Sequence, residues 1–168
     1  PTLELKKWDN LYCAGQIIGT SGYEEAAGLG LLAGINAVLK IDNKPPLILK
    51  RDEAYIGVMI DDLVTKGTEE PYRLLSSRSE YRLLLRHDNA DSRLTEIGRQ
   101  VGLVKDDRYA KFLKSQKAIA DARAILETTQ VCADIPVVEF LESVGYPNYS
   151  GGLTIAELIK RPRVTLDD

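Results

Sequence analysis

The stretch AGQIIGTSGYEEAAGLGLLAG (14–34) constrains this chain more than any other. Three glycines fall within Gly15–Gly22, and from Tyr23 to about Lys40 the pattern is helical, with Glu24 and Glu25 in the first turn, where carboxylates suit the helix dipole. Thr20 and Ser21 offer a cap for that helix. Asn10–Ala14, just before the turn, is a short apolar run bounded by Asp9-Asn10 and Gly15, which predicts a buried strand. Strand, glycine turn and helix N-terminus together present free backbone N–H groups to an anion or a polarised carbonyl. Yet Gly28, Gly30 and Gly34 fall inside the predicted helix, each about 0.5–1 kcal/mol worse there than alanine. With Ala26, Ala27, Ala33 and Ala37 they form a stripe nearly free of side chains. Spacing alone leaves two readings open: close packing against another element, or a cofactor held at the helix N-terminus.

The rest of the chain reads as helices. Asp42–Pro46 is a linker; Asp52 caps a helix over Glu53–Lys66, stopped by Gly67. Ser77 followed by Glu80 is a capping-box pattern, predicting a helix through Arg86, with a strand at 72–75 or 81–85 as the rival reading. Thr95 caps a short helix to Val101. Asp106–Thr128 has the clearest amphipathic period, and Pro136–Val144 and Thr154–Lys160 are shorter helices. The fold class is mainly α: a helical domain over 43–168 follows residues 1–42, read as the last strand and helix of an incomplete α/β domain. A five-residue strand cannot stand alone, so Asn10–Ala14 must pair with chain preceding Pro1 or with a strand elsewhere in the sequence that the patterns do not show; the incomplete α/β reading takes the first. The missing initiator methionine points the same way.

The net charge of −3 gives no support for nucleic-acid binding, DNA included, but its distribution is uneven and matters more than the sum. Residues 71–99 carry six basic side chains, all arginine, against four acidic ones. Arg78, Arg82 and Arg86 would form one row on a helix. Arginine favours forked contacts to phosphate or carboxylate, so the row serves either nucleic-acid backbone contact or pairing with Asp61, Asp62, Asp88 and Asp91. His87, the one histidine, reads as a solvated side chain. Cys13 and Cys132 have no metal-ligand spacing and suit a reducing cytosol, hence a cytoplasmic protein with no metal site. No apolar run reaches the ~20 residues of a membrane helix, and no signal peptide is visible.

The stretch quoted above resembles the second flavin-binding segment of the glucose-inhibited division protein A family. RDEAYIGVMIDDLVTKGTEEPYR (51–73), SSRSEYRLLLRHDNADSRLTEIGRQVGLV (76–104) and LTIAELIKRPRVTLDD (153–168) resemble the same family in the same order. A folate-dependent tRNA methyltransferase relative shares the first stretch but not the blocks within 51–104. The resemblance implies a segment running from the end of an FAD-binding domain, residues 1–42, into the helical region that follows. It implies an enzyme that builds the 5-carboxymethylaminomethyl group on the wobble uridine of tRNA, using FAD, NADH and methylenetetrahydrofolate. A homodimeric parent and a GTPase partner are implied too. By the same resemblance Gln16 is an FAD contact, and the backbone of Gly15, Gly19, Thr20, Gly22 and Tyr23 faces the flavin. Arg82, Arg86 and Arg93 are the candidate tRNA contacts, and no catalytic residue is assigned. Two residues depart from the family pattern: Ile18 stands where asparagine is usual, and Gly28 where alanine is. A non-catalytic helical module for tRNA or a protein partner is the alternative from another functional class.

Overall fold

A computed structural model describes residues 1–165; the last three residues of the 153–168 motif lie outside the described residues. The chain forms two compact units, 1–109 and 110–168. Six α-helices are described: α1 Tyr23–Ile41, α2 Tyr55–Thr65, α3 Ala90–Gln100, α4 Asp106–Thr128, α5 Ile135–Ser143 and α6 Ile155–Leu158. Short 3-10 turns occupy Gly15–Ile18 and Ser76–Arg78.

In the first unit, α1 packs on α2 through Leu29 and Leu32 against Met59 and Ile60, with Tyr72 completing a buried cluster. Gly28 belongs to this packing: an added Cβ would stand 3.3 Å from Ile56 Cγ1. Gly30 and Gly34 meet nothing within 4 Å and lie on the exposed side of α1. The stripe therefore divides, one glycine against α2 and two toward solvent. Ile18, the departure from the family pattern, packs against the same apolar cluster. Asn36 is buried and satisfied: its amide donates to Thr2 O and Leu47 O, and its carbonyl accepts from Leu47 N–H. Residues 43–50 are thereby fixed to α1 rather than left as a loose linker. Gly57 takes α2 against the preceding chain, with its ideal Cβ position 2.2 Å from Lys50 O.

The strand expected at Asn10–Ala14 is absent. The described residues contain no strand, only three isolated bridges. Tyr12 pairs antiparallel with Glu4, Cys13 N–H donates to Leu3 O, and Leu5 N–H to Leu11 O. Asn10 adopts a left-handed φ of 64° and its N–H is held by the Glu4 carboxylate, so the run turns back on the residues just before it. The neighbour seen among the described residues is the segment 3–5.

The helix expected over Ser77–Arg86 is also absent. Glu80, which would have reached back to the Ser77 amide, is drawn instead to the guanidinium of Arg51. A fixed, bidentate ion pair outweighs one local cap. The residues after the 3-10 turn run as irregular turns, so Arg78, Arg82 and Arg86 form no helical row. Smaller corrections follow. Helix α1 starts from Gly22 with no side-chain cap, α2 from Ala54 rather than Asp52, and Thr95 lies mid-helix in α3.

In the second unit, α5 and α6 each contribute one buried leucine, Leu141 and Leu158. Val131 and Leu153 are joined by a backbone bond, and Gln130 bridges Thr154. Thr154 caps α6 in a reciprocal box with Glu157.

Candidate functional site

The turn before α1 is built by two close approaches. Gly19 has φ 101°, and a Cβ there would sit 2.5 Å from Thr68 Oγ1. At Gly22, the N-cap of α1, a Cβ would collide with the Glu25 carboxylate at 1.7 Å. At Gly19 the left-handed backbone itself favours glycine, whereas a side chain at Gly22 would have to displace the Glu25 carboxylate from its place. Gln16, Gly19, Thr20 and Ser21 form one wall of a cleft of about 350 Å³, and Thr68, Glu69, Glu70 and Pro71 form the other. Gln16 is exposed at this cleft, whereas Thr20 is 2% exposed. Among the described residues, Thr20 Oγ1 is a buried side-chain oxygen with no hydrogen-bond partner. A buried hydroxyl left unsatisfied costs about 1–3 kcal/mol. Gly15 is buried under Ala26, and the Tyr23 side chain stands 94% exposed, away from any enclosed surface.

The turn is fixed from outside by residues 72–74. Tyr72 N–H donates to Gly19 O at 2.7 Å, and Tyr72 O accepts from Ser21 N–H at 3.0 Å and Ser21 Oγ at 3.2 Å. Leu74 N–H donates to the Glu25 carboxylate at 2.8 Å. That bond, opposed by burial and helped by Glu25's own amide and Arg73, holds the carboxyl below its ordinary range. The α1 N-terminus thus carries a built-in anion.

Tyr72 is in turn anchored in a network that the sequence reading did not foresee. Its hydroxyl donates to Asp62 at 3.0 Å, and Arg78 stacks over its ring at 4.3 Å. Burial first, then the Asp62 carboxylate, pushes the phenol well above its ordinary value. Asp62 is 2% exposed and also accepts from Arg51 at 2.8 Å and Lys66 at 2.7 Å. Burial alone would raise its carboxyl; the hydrogen bonds from Lys66, Arg51 and Tyr72 more than offset that and leave it lowered. Arg51 further bonds Asp61, forks onto Glu80 at 2.7 and 2.9 Å, and reaches Val58 O and Arg78 O. Glu80, hydrogen-bonded by Arg51, has its carboxyl lowered to about 2. The signal was present as the paired aspartates in DDL and the arginine of RDEAYIG, but the expected partners were the later arginines, not Arg51.

The three candidate tRNA contacts separate. Arg93 is half-buried and its guanidinium holds Glu53 O, Arg86 O and the Asn89 side chain. Arg86 is exposed and bonds Asp88 at 2.9 Å and Leu83 O at 2.5 Å. Arg82 is exposed and has no hydrogen-bonding or ionic partner among the described residues. His87 is exposed beside a cavity of about 730 Å³ floored by Ala54, Ile56, Leu85 and Leu94. No cluster of metal-binding side chains occurs among the described residues, and none of their helices is long and apolar enough to cross a membrane.

Residues 1–45 match the family described as glucose inhibited division protein A, and 106–168 match the tRNA modifying enzyme MnmG/GidA C-terminal helical domain. The chain belongs to the MnmG/GidA family. It is 58% identical over 167 residues to the tRNA uridine 5-carboxymethylaminomethyl modification enzyme MnmG of Listeria welshimeri, covering 99% of this chain and 27% of that protein. A Lactobacillus delbrueckii subsp. bulgaricus protein of the same name is 59% identical, with 99% and 26% covered. The Aquifex aeolicus GidA structure in its form II crystal superposes with a TM-score of 0.83 at 43% identity, again over 99% of this chain and 26% of that one. The chain thus spans about a quarter of the length of the MnmG relatives it matches. Both matched regions of the MnmG/GidA family flank the Arg51–Asp62–Tyr72 network, which lies between them at 46–105.

Proposed function

We propose that this chain serves in an FAD-dependent enzyme that installs the 5-carboxymethylaminomethyl group on the wobble uridine of tRNA. The observation that carries the reading is 58% identity to MnmG over 99% of the chain. In this reading residues 1–42 close the FAD-binding domain and 43–168 begin the helical domain that follows. The cofactor contact lies at the 15–23 turn. Gln16 offers an amide that both donates and accepts, Thr20 a hydroxyl lacking a partner, and the turn its backbone N–H groups. Bound FAD would supply the redox step, with NADH and methylenetetrahydrofolate as the reductant and carbon donor. The part of this chain's own residues is to orient the ring edge and to shape its electrostatics. The buried Glu25 carboxylate tempers the positive end of α1, so the field at the flavin edge is the balance of dipole and carboxylate. Arg82 and Arg86 are the arginines of the set that remain exposed for tRNA phosphates. A GTPase partner and a homodimer complete the proposed assembly, in the cytoplasm.

The test is FAD retention in the full-length protein. Gln16→Ala and Thr20→Val are each expected to weaken FAD binding while the circular dichroism of the helices is unchanged. Stoichiometric FAD at unaltered affinity in both variants would remove the assignment.

A further inference from the structure

We propose that Tyr72 is a positioning residue for the flavin: its hydroxyl, fixed by Asp62, sets the height at which its backbone holds the Gly19–Ser21 turn. This inference rests on placing FAD at that turn.

Tyr72 performs two jobs with separate parts. Its main chain is bonded to the turn on both sides, through Gly19 O and through the Ser21 amide and hydroxyl. Its side chain reaches the other way into the core, to the buried carboxylate of Asp62. The ring cannot swing aside, because the buried cluster encloses it and the Arg78 guanidinium covers it. A displacement of the phenol therefore moves the backbone, and the backbone moves the turn. Asp62 is itself immobile, gripped by Arg51 from one direction and Lys66 from another, and Arg51 is forked onto Glu80. The fixed point of the turn is thus the ion cluster around Asp62 of α2, not a residue of the turn.

Two further observations favour positioning over plain packing. The strap continues past Tyr72 to Leu74, whose N–H fixes the Glu25 carboxylate at the α1 N-terminus, so one segment sets both the geometry and the charge of that end. And the turn has no side-chain cap of its own, which leaves the strap as its external restraint.

The experiment uses the full-length, FAD-loaded protein with Tyr72→Phe, Asp62→Asn and, as reference, Gln16→Ala. Tyr72→Phe keeps the ring, the stacking and the backbone bonds and deletes one hydrogen bond. The visible circular dichroism of the bound flavin and its midpoint potential are read with the FAD dissociation constant and the melting temperature. The expected result for Tyr72→Phe is a changed flavin dichroism band, a shifted potential and FAD binding weakened by up to about tenfold, the ceiling set by the worth of one hydrogen bond. Asp62→Asn is expected to shift the same readouts in the same direction; should it fail to fold, Tyr72→Phe decides alone. A Tyr72→Phe protein that melts lower but keeps the parental dichroism and potential, while Gln16→Ala changes them, overturns the positioning role and leaves the flavin at the turn. If neither Gln16→Ala nor Tyr72→Phe alters any flavin property, the cofactor is not at this turn and the positioning role falls with it.

Discussion

Replacing Gly57 by alanine should destabilise the chain, whereas the same change at Gly30 should stabilise it. Both lie inside helices, and propensity alone favours alanine at each by about 0.5–1 kcal/mol. The surroundings reverse the sign at Gly57. Its Cβ would stand 2.2 Å from Lys50 O and 2.7 Å from both Leu49 O and Lys50 C. All three are backbone atoms, and ordinary carbon–oxygen contact begins near ~3.3 Å, so the chain at 49–50 must retreat by roughly 1 Å. Lys50 O also accepts the Glu53 and Ala54 amides at 3.2 and 3.3 Å, which start the run into α2. Weakening those two bonds costs about 1–3 kcal/mol and the residual crowding about 1–3 more, so after the propensity gain the net loss is about 1–5 kcal/mol. Gly30 has nothing within 4 Å and should gain about 0.5–1 kcal/mol. Urea unfolding followed by Trp8, the chain's one tryptophan, reports on the unit that holds both glycines. A Gly57→Ala protein within about 0.5 kcal/mol of the parent, or a Gly30→Ala protein less stable than it, would refute the reasoning.

The other expectations concern charge. Arg51→Met strips Asp62 of one of its cationic partners in a buried setting and should cost about 3–5 kcal/mol, measured by the same unfolding titration. Arg82→Ala should leave stability within about 0.5 kcal/mol and lower the slope of log tRNA affinity against log salt by about one. Arg93→Ala should instead cost about 1–3 kcal/mol, because two backbone carbonyls and Asn89 lose their donor. In acid, Glu25, Asp62 and Glu80 have carboxyls lowered on folding, so the unfolded chain takes up more protons. Their contribution is present above about pH 4.5 and fades toward pH 2, where Glu80 titrates; Glu80→Gln should make a pH-dependent melt shallower in that window.

Sequence patterns located what local rules control. Tyr23–Ile41 and Asp106–Thr128 end within a residue of where the patterns put them, although α4 buries none of its residues and its expected apolar face builds no core among the described residues. The failures came where distant partners decide. Glu80 has the spacing of a capping residue, yet Arg51, 29 residues away, claims its carboxylate, and no window around Ser77 contains that arginine. The apolar run at 10–14 has strand composition, but Asn10 turns it back on residues 3–5 before it can extend. At the candidate site, the glycines signalled a close approach without saying by what. The structure gives Thr68, Glu25 and Ile56 as the neighbours, all from the chain itself. Thr20 and Gln16 entered through family resemblance; the isolation of the Thr20 hydroxyl depends on packing that no spacing encodes.

The bond between Ser21 and Tyr72 spans 51 positions, and this has a consequence for the order of folding. Closing a loop of that length carries an entropic toll of about 3.5 kcal/mol, which shrinks only once α1 and α2 have already met. The helix pair should therefore form early and the turn be locked late. Read backward, the turn is the first part of the first unit to let go: Ser21 and Tyr72 amides should exchange with solvent together, at a rate set by a local opening well short of global unfolding.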